Sequence, residues 1–247
     1  MKKRVQFRFY EELNDFLPPD KRKKDFTYEF TGKPSIKDAI EALGVPHTEV
    51  DLILINQKSV TFSTHLKNGD VISVYPVFER LDIENVTRLR NKPLRKIKFI
   101  LDVNLGRLTR YLRMLGFDSL YSNQYADNDI IELAQSEGRI ILTRDTGLLK
   151  NSKVTHGYWI RSQQPGEQIK EVIQRFNLEG TVHAFSRCTA CNGEIKSVKK
   201  EVIIDKIPYK TGKYYNKFYQ CAGCKKIYWK GSHYKRIMDF IDNIIQD

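Results

Sequence analysis

The chain has 247 residues, of which 40% are hydrophobic and 11% aromatic, and this composition excludes wholesale disorder. Its length suits one large domain or two to three small ones. The formal net charge of +12 indicates an anionic partner.

The N-terminus, MKKRVQFRFYEEL, lacks the long apolar core of a secretory signal. No stretch of the chain approaches the roughly 20 apolar residues that a membrane span needs. We therefore expect a cytoplasmic protein without a membrane partner.

Residues 1–80 are predicted to form a small α+β domain with the element order β-β-α-β-β. The alternating strands VQFRFY and DFTYEF come first, and DLILIN and DVISVYPVF follow a helix over residues 35–43. Ser35 can cap this helix, with Asp38 three positions later, and Gly44 ends it.

This order and the ending LKNGDVISVYPVF resemble the β-grasp fold of ubiquitin-like sulfur carriers, which end in an activated Gly-Gly pair. The corresponding strand here continues into Phe78-Glu79-Arg80-Leu81, with no glycine pair. Carrier chemistry is therefore not expected. A docking or binding role and a purely structural packing role both remain open for this domain.

Residues 81–96 are predicted to be a linker, because LDIENVTRLRNKPLR is charged, weakly periodic and contains a proline. From residue 97 to 184, strands alternate with helices, which is typical of βαβ units and a parallel sheet. The expected strands are KFILD, SLY, RIILT and VTHGYWIRS, and the expected helices cover residues 104–115, 128–137 and 165–176.

Acidic residues follow two of these strands. Asp102 ends the first strand, and Asp145 comes directly after RIILT-Arg144. Ligand sites in parallel sheets lie beyond the carboxyl ends of the strands, so we expect both acids in one crevice, joined by Asp127 as the N-cap of the intervening helix. Each acid alone could equally end a strand, cap a helix or pair with a base.

A cluster of three carboxylates predicts a divalent cation, since like charges a few ångströms apart are otherwise unfavourable. Hard oxygen ligands select Mg²⁺ or Mn²⁺, which can activate water for attack on a phosphodiester. Five polar residues near the acids could contact that phosphate: Asn104, Arg107, Arg110, Arg113 and Arg144. For the first four, a solvated helix face is an equal alternative. Arg144 is better placed, because it directly precedes Asp145.

The four cysteines form two CxxC pairs, Cys188/Cys191 and Cys221/Cys224. Two such pairs in a reducing compartment predict a structural Zn²⁺ site rather than two disulfides, since four thiolates close a tetrahedral shell. The long spacing between the pairs leaves room for a strand hairpin. We assign residues 185–247 to this zinc ribbon.

The ribbon is strongly basic, with twelve Lys or Arg against two acids between Lys196 and Arg236, and aromatic residues are interleaved with them. Cations contact phosphates and aromatic faces stack on unpaired bases, which predicts nucleic-acid binding. The alternative is a lysine-rich hairpin whose aromatics fill a small core. The candidate nucleic-acid-binding residues of the ribbon are Lys225, Lys226, Trp229, His233, Lys235 and Arg236.

Four segments together resemble the Mut7-C RNase family: FILDVNLGRLTRYLRMLGFDSLY, ADNDIIELAQSEGRIILTRD, and the paired motifs RCTACNGE and CAGCKKIYWKGSHYKRI. The resemblance implies a PIN-like nuclease domain, a C-terminal zinc ribbon and, as in some members, a preceding ubiquitin-like Mut7-C domain. By position, Asp102 and Asp145 correspond to the first PIN acid and the acid of the TRD element. Asp127 corresponds to the acid that opens the intervening helix, and Asp129 matches less well.

The resemblance implies a metal-dependent ribonuclease activity of the PIN type. We expect an endoribonuclease whose partner is RNA, including tRNA or ribosomal RNA. Nuclease sites of this type often hold a fourth acid, and the next acid after Asp145, Glu167, has no assigned place. A non-catalytic RNA- or ribosome-binding factor that retains the nuclease fold is the alternative.

Overall fold

The computed structural model describes residues 2–76, 97–232, 234 and 238–239. The chain divides into two compact units, of which the first joins the N-terminal residues with Thr143–Trp159. The second joins Ile97–Leu142 with the chain from Ile160 onward. The predicted linker over residues 81–96 lies outside the described residues.

The first unit contains a five-stranded mixed sheet with one helix. Its elements are β1 (Lys3–Phe9), β2 (Phe26–Phe30), α1 (Ile36–Ala42), β3 (Val50–Ile55), β4 (Lys58–Ser59) and β5 (Val71–Pro76). The strand order is β2-β1-β5-β3-β4, with β1 and β5 parallel and the other pairs antiparallel. All predicted elements of the β-grasp are present, and the two-residue β4 is an addition.

Alternation along β1 explains its place in this sheet. Val5, Phe7 and Phe9 are buried, while the residues between them face outward or are half-buried. Each buried apolar side chain of this size contributes about 1.5–3 kcal/mol. These residues pack in one core with Ile36 and Ile40 of α1.

The start of α1 confirms the predicted cap. The Ser35 hydroxyl accepts a hydrogen bond from the backbone N–H of Asp38 at 3.2 Å, and the Asp38 carboxylate accepts one from the Ser35 N–H at 3.1 Å. This reciprocal pair satisfies two helix N-terminal donors.

The central part of the chain alternates strands and helices as predicted. Its elements are β6 (Lys98–Leu101), α2 (Gly106–Met114), β7 (Asp118–Leu120), α3 (Asp127–Glu137), β8 (Ile140–Thr143), α4 (Thr146–Leu149), β9 (Gly157–Trp159) and α5 (Pro165–Arg175). Strands β7, β6 and β8 pair in parallel in that order, and Phe99 of β6 lies opposite both Ser119 and Ile140. The α4 and β9 segment belongs to the first unit.

The ribbon is a small antiparallel sheet with a helical insert. Its elements are β10 (Ile195–Val198), α6 (Lys200–Ile203), α7 (Tyr209–Tyr214), β11 (Phe218–Cys221) and β12 (Ile227–Trp229). The strand order is β10-β11-β12. Strands β10 and β11 form the predicted hairpin, and the two short helices occupy the connection between them. Ile203, Ile207 and Phe218 form its buried core.

The predicted fold class is therefore confirmed: a mixed β-grasp sheet, a parallel α/β sheet and a small four-cysteine module. Within the described part of the chain, no helix combines the length and hydropathy required to span a membrane.

Candidate functional site

The four cysteines meet at one point. Sγ of Cys188 lies 3.6 Å from Sγ of Cys224, and Sγ of Cys191 lies 3.4 Å from Sγ of Cys221. All four sulfur atoms lie within 4.8 Å of one another. A tetrahedral zinc ion with Zn–S bonds of about 2.3 Å would separate its sulfurs by about 3.8 Å, so this cluster has the right size and donor set for Zn²⁺.

The neighbouring thiols of this cluster shift one another's pKa values in opposite directions. Burial raises the pKa of Cys191, but hydrogen bonds from the Gly193 backbone and the Cys221 thiol outweigh burial and lower the pKa to about 6. The Lys226 backbone lowers the pKa of Cys224, whereas burial and the neighbouring thiols raise it to about 12. Four thiols this close cannot all ionise without a cation among them, which is the role a metal ion would fill.

Both CxxC segments adopt the same turn. The backbone N–H of Asn192 donates to the Cys188 carbonyl at 2.9 Å, and that of Lys225 donates to the Cys221 carbonyl at 3.2 Å. Asn192 and Lys225 both have left-handed backbone conformations, with φ of 66° and 61°. The turns aim each pair of sulfurs at the common centre.

Hydrogen bonds fasten the first CxxC turn to the parallel sheet. The Asn192 side chain donates to the Asp118 carboxylate at 2.7 Å and accepts from the Ser119 N–H at 3.0 Å. Asp118 also pairs with the buried Arg139 at 2.7 Å. Burial raises the pKa of Asp118, but the hydrogen bonds from Arg139 and Asn192 outweigh burial and lower it.

Arg113 is a correction to the predicted phosphate-contacting face of α2. The residue is buried, with only 5% of its surface exposed. Its guanidinium donates to the carbonyls of Ser119 at 2.9 Å and of Ala190 at 2.9 Å. Arg113 therefore braces the first CxxC turn, because its guanidinium donates to the Ala190 carbonyl within that turn.

Asp102 directly follows β6 and is largely buried. One carboxylate oxygen accepts a hydrogen bond from the Val103 N–H at 2.6 Å, which starts the short 3-10 turn Val103–Leu105 before α2. A buried carboxylate at the carboxyl end of a parallel strand is the position that sequence reasoning assigned to it.

Asp127 is the first residue of α3, and Ala126 has the N-cap conformation. The predicted N-cap role of Asp127 is therefore wrong by one position. Asp129 performs the capping contact instead, accepting from the Ala126 N–H at 2.9 Å. The Asp127 carboxylate is exposed, and its role as a metal ligand stays a prediction.

Asp145 caps α4. Its carboxylate accepts from the Gly147 N–H at 2.7 Å, and its backbone N–H donates to the Thr143 hydroxyl at 2.9 Å. The preceding Arg144 is exposed, and its carbonyl accepts a 3.2 Å hydrogen bond from the Trp159 indole. Sequence reasoning did not identify Trp159 as a support for this turn.

Among the described residues, the four cysteines are the cluster of side chains that could hold a metal ion, and no three carboxylates form a similar one. The convergence of Asp102, Asp127 and Asp145 on one ion therefore stays a prediction.

The predicted RNA-contacting residues have different environments. Asn104, Arg107 and Arg110 are exposed. Trp229 is half-buried and packs against the ribbon core, so only part of its ring is accessible. Lys225 and Lys226 are exposed. Nζ of Lys226 lies 5.7 Å from the centre of the Tyr228 ring. His233, Lys235 and Arg236 lie outside the described residues.

Two family models match the chain in N-to-C order. The Mut7-C ubiquitin model matches residues 2–82, and the Mut7-C RNAse domain model matches residues 97–241. The human protein named Exonuclease mut-7 homolog is 37% identical to the chain over 107 residues, which are 40% of this chain and 12% of that protein. The chain thus spans a small part of the length of that relative. No solved structure matches the chain significantly.

Proposed function

We propose that this chain, which belongs to the Mut7-C RNase family, is a metal-dependent ribonuclease that cuts RNA internally. The observation that carries the proposal is the match of the RNase domain model to residues 97–241, because this stretch contains all three candidate acids. We also propose domain bounds of 1–80, 97–184 and 185–247, and a cytoplasmic location.

Asp102, Asp127 and Asp145 are the proposed ligands of a catalytic Mg²⁺ or Mn²⁺. Their carboxylates are the hard oxygen donors that these ions prefer. When bound, the ion supplies Lewis-acid stabilisation of the phosphate and an activated water. The support for this role is positional, since Asp102 directly follows β6 and Asp145 follows the neighbouring parallel strand β8 by two residues.

Positive side chains of the chain are proposed to hold the RNA backbone. Arg107 and Arg110 are exposed on α2, which begins shortly after Asp102, and Arg144 is exposed next to Asp145. Guanidinium groups bind phosphate oxygens with two parallel hydrogen bonds, which would orient the scissile phosphodiester. The basic ribbon would add affinity without acting on the bond itself. A tRNA or ribosomal RNA is the proposed source of the substrate.

The test is cleavage of a structured RNA by the purified chain with Mn²⁺ or Mg²⁺, beside the variants Asp102→Asn, Asp127→Asn and Asp145→Asn. Glu132→Gln is the matched control, because Glu132 is an exposed acid on α3 outside the proposed site. We expect cleavage to fall at least a hundredfold in Asp102→Asn and Asp145→Asn, with RNA binding retained, and to be unchanged in Glu132→Gln.

Equal cleavage by the wild type and these variants would overturn the catalytic proposal. RNA binding without any metal-dependent cleavage would favour the non-catalytic RNA- or ribosome-binding factor. Products with internal 5′ and 3′ ends would support endonucleolytic cleavage, and release of single nucleotides from one end would contradict it.

A further inference from the structure

The aromatic side chains of the ribbon divide into a packed group and an exposed group. Phe218 is buried, and Tyr215 and Trp229 pack against it. Tyr209 is 85% exposed and Tyr214 is 73% exposed. The alternative in which all the aromatics fill a small core therefore does not describe these two residues, whose rings lie largely in solvent.

Tyr209 and Tyr214 are the first and last residues of α7. The helix is closely seated on the ribbon, because a Cβ added to its buried Gly212 would lie 3.0 Å from the Ile204 side chain and 3.5 Å from that of Ile207. At about 1.5 Å and 100° per residue, the two tyrosines are separated by about 7.5 Å along the helix axis and by about 140° around it. Their rings therefore leave α7 on different sides, where each can meet a different base.

The chain around α7 is positively charged. Residues 199–217 contain six lysines and two acids. Five of the lysines are exposed, and the described part of the chain places no acid in an ion pair with any of them. They are Lys199, Lys206, Lys210, Lys213 and Lys217. Such unpaired cations complement the phosphates of a nucleic acid.

We propose that α7 and its neighbouring lysines bind single-stranded RNA, with the rings of Tyr209 and Tyr214 stacking on unpaired bases. Bases in a duplex already stack on their neighbours, so free base faces occur mainly in single strands and loops. Stacking on an aromatic ring is worth about 1–3 kcal/mol per base and tolerates any sequence. This inference rests on the proposed action on RNA, but it concerns recognition and not hydrolysis.

The test uses the full chain carrying Asp102→Asn, so that a labelled RNA stays intact. Fluorescence anisotropy compares a twelve-nucleotide oligouridine with a duplex of the same length. We expect Tyr209→Ala with Tyr214→Ala to weaken oligouridine binding at least about tenfold and duplex binding less than twofold. The pair Tyr209→Phe and Tyr214→Phe should bind like the parent, because the ring is retained.

Two further variants separate stacking from other effects. Val202→Ala removes an apolar side chain that is 66% exposed and has no aromatic face, so binding should not change. Lys210→Gln with Lys213→Gln should lower the dependence of log affinity on log salt by about 1.4 for a single strand. Zinc content and circular dichroism should match the parent in every variant, because all of these side chains are exposed.

Oligouridine binding by the double alanine variant equal to that of the parent would overturn the inference, as would an equal loss of affinity for the duplex. Self-association that disappears in the double alanine variant while RNA binding persists would instead assign the surface to a protein contact. Loss of metal-dependent cleavage in Asp102→Asn is measured in a separate assay. The proposal for RNA recognition by α7 and the proposal for catalysis can therefore be contradicted independently of each other.

Discussion

The carboxylate of Glu49 accepts a 2.6 Å hydrogen bond from the backbone N–H of Trp159. Glu49 lies in the short 3-10 turn His47–Glu49 before β3 and is fully buried. Trp159 in turn donates its indole N–H to the Arg144 carbonyl. The turn therefore supports the segment that carries Asp145, within the first compact unit.

The His47 side chain makes a second connection in this unit. Its Nδ1 lies 2.6 Å from the Glu41 carboxylate, and its Nε2 lies 2.7 Å from the Val154 carbonyl. The 3-10 turn before β3 thus holds residues 143–159 by two polar contacts, of which the one between His47 and Val154 is buried.

Glu49→Ala should loosen this segment. A buried N–H that loses its acceptor costs about 1–3 kcal/mol, so we expect lower thermal stability and faster hydrogen exchange in peptides covering residues 143–159. Glu29→Ala is the control, because its ion pairs with Lys2 and Arg4 are exposed and worth little. Unchanged exchange across residues 143–159 in Glu49→Ala would contradict the supporting role.

Cys221→Ser should abolish zinc binding and unfold the ribbon. Metal-binding energy is folding energy in small modules of this kind, so a missing buried thiolate removes both. Elemental analysis should give about one zinc per wild-type chain, and thiol titration should detect the four cysteines only after chelation. Full zinc content and unchanged melting in Cys221→Ser would rule out a four-thiolate site.

Gly193→Ala should weaken the same site through crowding alone. A Cβ at Gly193 would lie 2.8 Å from the Cys221 sulfur and 3.3 Å from that of Cys191, and a metal ligand cannot easily move aside. We expect faster zinc loss to a competing chelator. Gly166→Ala is the matched control, because a Cβ there meets nothing within 4 Å. Equal zinc release by both variants would show that the cluster tolerates the added atom.

Asp118→Asn should destabilise the second unit at neutral pH, by about 2 kcal/mol, because Arg139 and Asn192 lose their charged partner. The lowered pKa of Asp118 means that its contribution is present above the pKa of the unfolded carboxyl and is lost as pH falls through the native value. The stability difference between wild type and variant, from denaturant titrations between pH 7 and pH 3, should shrink towards acid. A difference independent of pH would contradict this assignment.

Local signals in the sequence predicted much of the fold. The Ser35–Asp38 cap, the alternation along β1 and the paired CxxC turns depend on neighbouring residues, so the sequence alone indicates each of them. The start of α3 was misplaced by one residue because an acid at its first turn suits either position.

Features that depend on distant contacts were not predictable in this way. Arg113 lies outside the leucine stripe of α2, where an exposed arginine is expected. It is nevertheless buried and donates hydrogen bonds to the carbonyls of Ser119 and Ala190. The exposure of Tyr209 and Tyr214 depends on which ribbon aromatics fill the core. The support of Arg144 by Trp159 joins residues whose pairing no local pattern indicates.

Binding of Mn²⁺ to the purified, zinc-loaded chain tests the central claim most directly. Electron paramagnetic resonance or calorimetry should detect Mn²⁺ bound to the wild type, and at least tenfold weaker binding in Asp102→Asn and Asp145→Asn. The same loss should accompany the loss of RNA cleavage. Equal Mn²⁺ affinity in all three proteins, or cleavage that persists without the two carboxylates, would contradict a metal-dependent nuclease site built from these acids.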